Sequence, residues 1–268
     1  MKSIVTKRLL LAVLAASVIS VVPARADEWN KTYTLSGKPD LRIETSDAAI
    51  RVTTWDQNTI EAKVITTRYK IGEGGIRVDE RQTGNTVEIE VHYPHGNFNI
   101  GWGNHRVDII IQMPREGDVN LRTGDGEIKV AGLKGQMDLL SGDGAENLDN
   151  VDGKLHATTG DGHIHAYGRF DELELKTGDG HVEVRAGAGS TMAASWRLET
   201  GDGSVSLDLP GDLAADVDLH TSDGHIDLEM PVTTEGQIRQ GEVHGKLNGG
   251  GSHLTIRTGD GSIHLGKS

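Results

Sequence analysis

From residue 119 onward, apolar and polar positions alternate with period two, and each alternating stretch breaks at a glycine-rich tetrapeptide. The tetrapeptide reads Thr123-Gly124-Asp125-Gly126, then Ser141-Gly142-Asp143-Gly144, and returns at 159–162, 177–180 and 200–203. Thr221-Ser222-Asp223-Gly224 and Thr258-Gly259-Asp260-Gly261 close the series. Apolar pairs stand two and four positions before it, as Val119 and Leu121 or Trp196 and Leu198 do. Others stand two and four positions after its last glycine, as Ile128 and Val130 or Val182 and Val184 do. Arg122, Lys129, Glu174 and Glu183 fall between them. Such alternation on both sides of a turn predicts two half-buried strands per repeat. The starts at 123, 141, 159 and 177 are 18 residues apart, and the later steps are 23, 21 and 37.

A further copy lies upstream, where Leu41, Ile43, Thr45-Ser46-Asp47-Ala48, Ile50 and Val52 fit the same template with Ala48 in place of the last glycine. Between it and Thr123 come strand-like segments near 59–67, 75–81, 85–93 and 106–113, separated by turn-forming stretches that include 94–104. No 3.6-residue apolar period appears after the N-terminus, so the fold class is all-β. Two architectures suit the repeat. One is a parallel β-solenoid of coils of about 18–23 residues with equivalent residues stacked about 4.8 Å apart; the other is an antiparallel meander. The constant step favours the solenoid, because stacked coils need equal lengths and hairpins do not. The segment 53–118 is expected to be antiparallel and, with the glycine-rich insertion 232–252, to close the ends.

The N-terminus bears on where the chain works. Lys2, Lys7 and Arg8 precede an apolar run from Leu9 to Val22, then Pro23-Ala24-Arg25-Ala26. This is the pattern of a signal peptide over 1–26, too short and wrongly flanked for a stable anchor. The remainder, 27–268, reads as a single β-repeat domain: N-terminal strands with the first coil and the antiparallel segment over 27–118, and repeat coils over 119–268. Loss of four basic side chains with residues 1–26 takes the net charge from −13 to −17, which disfavours nucleic acid and anionic lipid as partners. There is no cysteine, so neither disulfides nor lipidation at a cysteine contributes. Thirty-six glycines against two phenylalanines imply many turns around a thin core.

The chain resembles the DUF4097 family of adhesin-like, β-strand repeat-containing exported bacterial proteins. The resemblance rests on Ile43-Glu44-Thr45-Ser46-Asp47, on Val107-Asp108-Ile109-Ile110-Ile111-Gln112-Met113-Pro114, on the string of Thr-Gly-Asp-Gly units, and on Gly249-Gly250-Gly251 through Ile263. It implies a solenoid-like all-β domain and offers no catalytic residues to carry over.

Four groups of residues could carry chemistry. The aspartates 125, 143, 161, 179, 202, 223 and 260 would repel one another if stacked, by about 1 kcal/mol per pair at water-like dielectric. Each is expected to accept backbone N–H groups within its own turn, with the glycines at positive φ. One aspartate per coil supplies too few oxygens for a calcium ladder. The threonines 123, 159, 177, 200, 221 and 258 have inward parity and should bond turn backbone or one another. His163, His165 and His181 have outward parity; in a solenoid His163 stacks on His181 and His165 on Glu183, a patch that could hold Zn²⁺ or Cu²⁺ but reads more simply as a polar sheet face. His225 and His264 hold similar slots too far away for the same ion. The stretch 94–104, with Phe98 and Trp102 beside Tyr93 and His95, suits either a partner-contacting tip or a lid over the end of the solenoid. The Gly-Asp-Gly turns precede strands, so no helix N-terminus meets a phosphate there.

No catalytic, cofactor-binding or metal residues are therefore assigned, and no cofactor. The expected role is a non-catalytic scaffold in the periplasm or at the cell surface, binding an unknown protein or polysaccharide, with no membrane span after residue 26. Rival readings are an envelope-stress or signalling accessory that binds a membrane partner, and a β-helix polysaccharide lyase or hydrolase.

Overall fold

The computed structural model describes residues 26–94, 106–234 and 241–268. The signal-peptide stretch 1–25 and residues 95–105, which hold most of the 94–104 stretch, lie outside the described residues. The strands before the first full repeat are β1 (Ala26–Thr34), β2 (Asp40–Thr45), β3 (Ala49–Trp55), β4 (Thr59–Thr67), β5 (Arg77–Thr83), β6 (Thr86–His92) and β7 (Arg106–Pro114). The central repeats give β8 (Asp118–Thr123), β9 (Ile128–Ala131), β10 (Lys134–Ser141), β11 (Glu146–Thr158), β12 (Ile164–Thr177), β13 (Val182–Ala186), β14 (Trp196–Thr200) and β15 (Val205–Leu209). The remainder holds β16 (Ala215–Thr221), β17 (Ile226–Leu228), β18 (Val232–Thr234), β19 (Glu242–Leu247), β20 (Ser252–Thr258) and β21 (Ile263–Lys267). No helix occurs among the described residues.

Each repeat places the strand before its turn in one row and the strand after it in a second row. The first row runs, in space, β5–β6–β2–β8–β10–β11–β12–β14–β20–β16–β19–β18. The second runs β1–β4–β7–β3–β9–β11–β12–β13–β15–β21–β17. Pairing is parallel throughout except at the ends. The long strands β11 and β12 serve both rows, and β11 bends where Asn150 and Gly153 take positive φ. In the regular part, partners are 18 residues apart: Met137 pairs with Val119 on one side and Leu155 on the other. Alternation does the rest. Leu121, Leu139, Leu155, Leu173, Trp196, Leu254 and Val217 face inward from the first row, and Ile128, Ile164, Val182, Val205 and Ile263 from the second, all buried. The result is a β-solenoid-like stack with a narrow apolar interior, in which Phe170 packs edge-on against Trp196 at 6.4 Å.

Two placements differ from the sequence reading. The segment 53–118 is only partly antiparallel: β6 and β7 run parallel to β2 and β3 as a further coil outside the first repeat, while β5, β4 and β1 add the antiparallel edges. The sequence hid this coil because no Thr-Gly-Asp-Gly turn joins its strands. The second is the order of the coils. β20 and β21, last in sequence, insert between β14/β15 and β16/β17. The described part of the 232–252 insertion supplies β18 and β19, which cover β16 in the first row and leave β17 as the edge of the second.

Candidate functional site

The turns form one corner of the stack, and the hydroxyl is what closes them. Thr177 Oγ1 donates to the Gly162 carbonyl of the preceding coil (2.9 Å) and accepts from the Gly180 N–H of its own turn (3.2 Å). The same pair of bonds recurs at Thr123, Ser141, Thr159, Thr200 and Thr258. The threonines thus bond turn backbone, not one another.

The aspartates do something other than expected. Their backbone N–H groups donate to the preceding coil, as from Asp143 to Gly124 O at 3.1 Å and from Asp202 to Gly178 O at 3.1 Å. Their carboxylates stay exposed at the corner, and the threonine hydroxyl accepts the N–H that the carboxylate was expected to take. In spatial order they run Asp47, Asp125, Asp143, Asp161, Asp179, Asp202, Asp260, Asp223. Burial and then the charge of Asp125 hold the Asp47 carboxyl above its usual range. The turn glycines are not at positive φ either. Their role is close approach: a Cβ at Gly144, Gly162, Gly180 or Gly203 would overlap the carbonyl oxygen of the equivalent residue one coil earlier.

His163 and His181 stack with ring centroids 5.1 Å apart and planes 10° from parallel, and His165 Nδ1 meets Glu183 Oε2 at 3.2 Å. His163 Nδ1 accepts the His181 N–H, and His181 Nδ1 accepts the Ser204 N–H, each at 2.9 Å. Ser204 Oγ and the Ser262 N–H continue the line at 3.3 Å. These outward side chains therefore satisfy backbone donors just past the corner, and the network assigns both histidines the tautomer with hydrogen on Nε2. His225 and His264 lie elsewhere: His225 Nδ1 pairs with Ser262 Oγ (2.9 Å) and His264 Nδ1 with Asp227 Oδ2 (3.1 Å). Tyr93, beside the 94–104 stretch, packs edge-on to Tyr69 at 5.8 Å, and burial raises its pKa.

The outer surface of the first row carries an open hollow of about 610 Å³, which no sequence pattern marks. Arg42, Asn120, Gln136 and Asp138 line its floor, with Glu88 and Arg81 at the β5–β6 side. Arg42 bonds Asp40 (2.7 Å), and Arg81 is paired with Glu88. Beyond the hollow the same face alternates in charge across strands, with Lys176 beside Glu199 and Glu199 beside Arg257. A polar, concave, hydrogen-bonding surface several strands wide can hold an extended polymer, and at its edge His156 lies between Asp138 (3.0 Å) and Glu172 (3.4 Å).

The Toastrack DUF4097 family model matches residues 117–187 and 168–266, over half of the sequence. The chain belongs to that family. The matched stretch is the run of stacked turns, so the family and the corner geometry coincide. Among solved structures, a proposed cell adhesion protein from Clostridium sporogenes is 15% identical over 91% of this chain and 100% of its own, with a TM-score of 0.45. A proposed adhesin from Bacteroides fragilis is 13% identical over 89% of this chain and 96% of its own, also with a TM-score of 0.45. Curated proteins give no match. No helix among the described residues is long and apolar enough to cross a membrane.

Proposed function

We propose that this Toastrack chain is an exported, non-catalytic scaffold that holds an extended polysaccharide or protein of the cell envelope along its first strand row. The hollow floored by Arg42, Asn120, Gln136 and Asp138 carries this reading: it is open, polar, and built on four paired strands. The amino-terminal pattern supports export to the periplasm or cell surface, and the family's adhesin-like members support surface binding. In this reading 27–268 acts as one domain whose stacked coils hold the outward side chains at fixed spacing.

Incubation with acidic and neutral envelope glycans, followed for both retention and chain length, tests the proposal. Retention without shortening is expected. Shortening that disappears when the corner aspartates are changed to asparagine would make the protein a β-helix hydrolase or lyase instead.

A further inference from the structure

The inserted C-terminal coil brings together residues that the sequence keeps far apart. Along the outward side of the second row, Asp208 pairs with Gly266, and Ser206 and Asp227 flank His264 on neighbouring strands. The Glu229 N–H bonds the Leu265 carbonyl (2.9 Å), which sets Glu229 beside Gly266 on the far side from Asp208. Gly266 is not at positive φ, so its backbone does not require glycine. What the glycine provides is space. A Cβ there would sit 2.8 Å from His264 Nε2 and would overlap Asp208 Oδ1.

Two ligating atoms, Asp208 Oδ1 and His264 Nε2, thus border the gap left by one missing side chain. Asp227, Glu229 and His264 offer atoms that all lie within 4.8 Å of one another, and Asp208 reaches the gap from the opposite strand. Asp227 Oδ2 takes the Nδ1 side of the His264 ring at 3.1 Å, which directs Nε2 toward the gap. A carboxylate behind a histidine that presents its other nitrogen is the arrangement that orients imidazole toward a metal. The charges agree: three carboxylates face one cation, Arg185, whose Nε is 3.5 Å from Asp208 Oδ2, leaving Oδ1 for the gap. One nitrogen with carboxylate oxygens suits a borderline ion such as Zn²⁺ better than Ca²⁺ or Mg²⁺, which take oxygen ligands.

We propose that Asp208, Glu229 and His264, with Asp227 orienting the imidazole, form a binding site for a divalent transition-metal ion that pins the edge strand β17 to β21 and β15. Asp227 and Glu229 also place charge on an exposed strand edge, a device that by itself discourages edge-to-edge pairing; the glycine gap and the ring orientation are what that role leaves unexplained.

The test is calorimetric titration of the full exported chain, purified without a histidine tag, with Zn²⁺, and with Ca²⁺ and Mg²⁺ in parallel. One Zn²⁺ per chain is expected at this site, together with a rise in thermal midpoint on Zn²⁺ addition. Gly266→Ala fills the gap at the cost of moving only side-chain ends, and it should weaken binding tenfold or more. His264→Ala and Asp208→Asn should do the same, while His163→Ala/His181→Ala should leave this equivalent intact. Absence of Zn²⁺ binding, binding undiminished in Gly266→Ala, or an equivalent lost with His163 and His181 would each overturn the proposal.

Discussion

Glu146 occupies an inward slot between Ile128 and Ile164 and is fully buried, and neither carboxylate oxygen has a hydrogen-bond partner. Burial pushes its pKa up to about 8, and the Ser141 backbone opposes this only in part, without a hydrogen bond of acceptable geometry. The folded chain therefore binds a proton here that the unfolded chain releases near pH 4.3. Its contribution is fully present below about pH 4.3 and is lost as pH rises toward 8, the reverse of a salt-bridged carboxylate. Denaturant unfolding across that range should show this loss, and Glu146→Gln should abolish its pH dependence. Glu146→Leu should stabilise the protein at pH 8 by on the order of 4 kcal/mol. The turn hydroxyls make an opposite case. Thr177→Val keeps shape but leaves the Gly162 carbonyl and Gly180 N–H without their partner, and should cost about 1–3 kcal/mol in the same measurement. Inward parity of these threonines was legible in the sequence. The exchange of roles between hydroxyl and carboxylate was not, because either side chain can accept the turn N–H, and what favours the hydroxyl is its donation to the coil before, which a single turn does not reveal.

Among the elements, the corner is where spacing is least forgiving. Gly180→Ala directs a methyl onto the Gly162 carbonyl, and backbone cannot move aside as a side chain can. We expect loss of folded protein or destabilisation beyond about 4 kcal/mol, read by thermal melting. Gly84→Asn is the contrasting change: φ is +62° there, nothing crowds the Cβ, and asparagine tolerates the left-handed region, so the β5–β6 hairpin should survive with a shift under about 1 kcal/mol. Period-two alternation located most strands to within two or three residues, since burial on one face forces it. It could not tell that β6 and β7 form a parallel coil, because alternation is the same in parallel and antiparallel neighbours.

For the whole molecule, coil order in space departs from coil order in the chain. The last coil, β20/β21, is interior, so truncation before residue 250 removes the partner of β14 and β15 and strands β16 and β17 rather than trimming an end. Hydrogen exchange on such a truncation should show lost protection from β14 to β19, with β8 to β12 retained. The 37-residue step between the last two turns was visible, but not that the chain doubles back; hence the convergence on Gly266 was unreadable from spacing. The hollow in the first row was likewise invisible, since it arises from strands far apart in sequence. Its occupancy by polymer decides the proposed function. Retention on isolated envelope polymer should be measured for the parent chain, for Arg42→Ala/Asn120→Ala in the hollow, and for Arg51→Ala/Lys129→Ala on the opposite row. Saturable retention that falls tenfold or more only for the first pair is expected. Equal retention by all three, or loss confined to the opposite row, would contradict the proposed function.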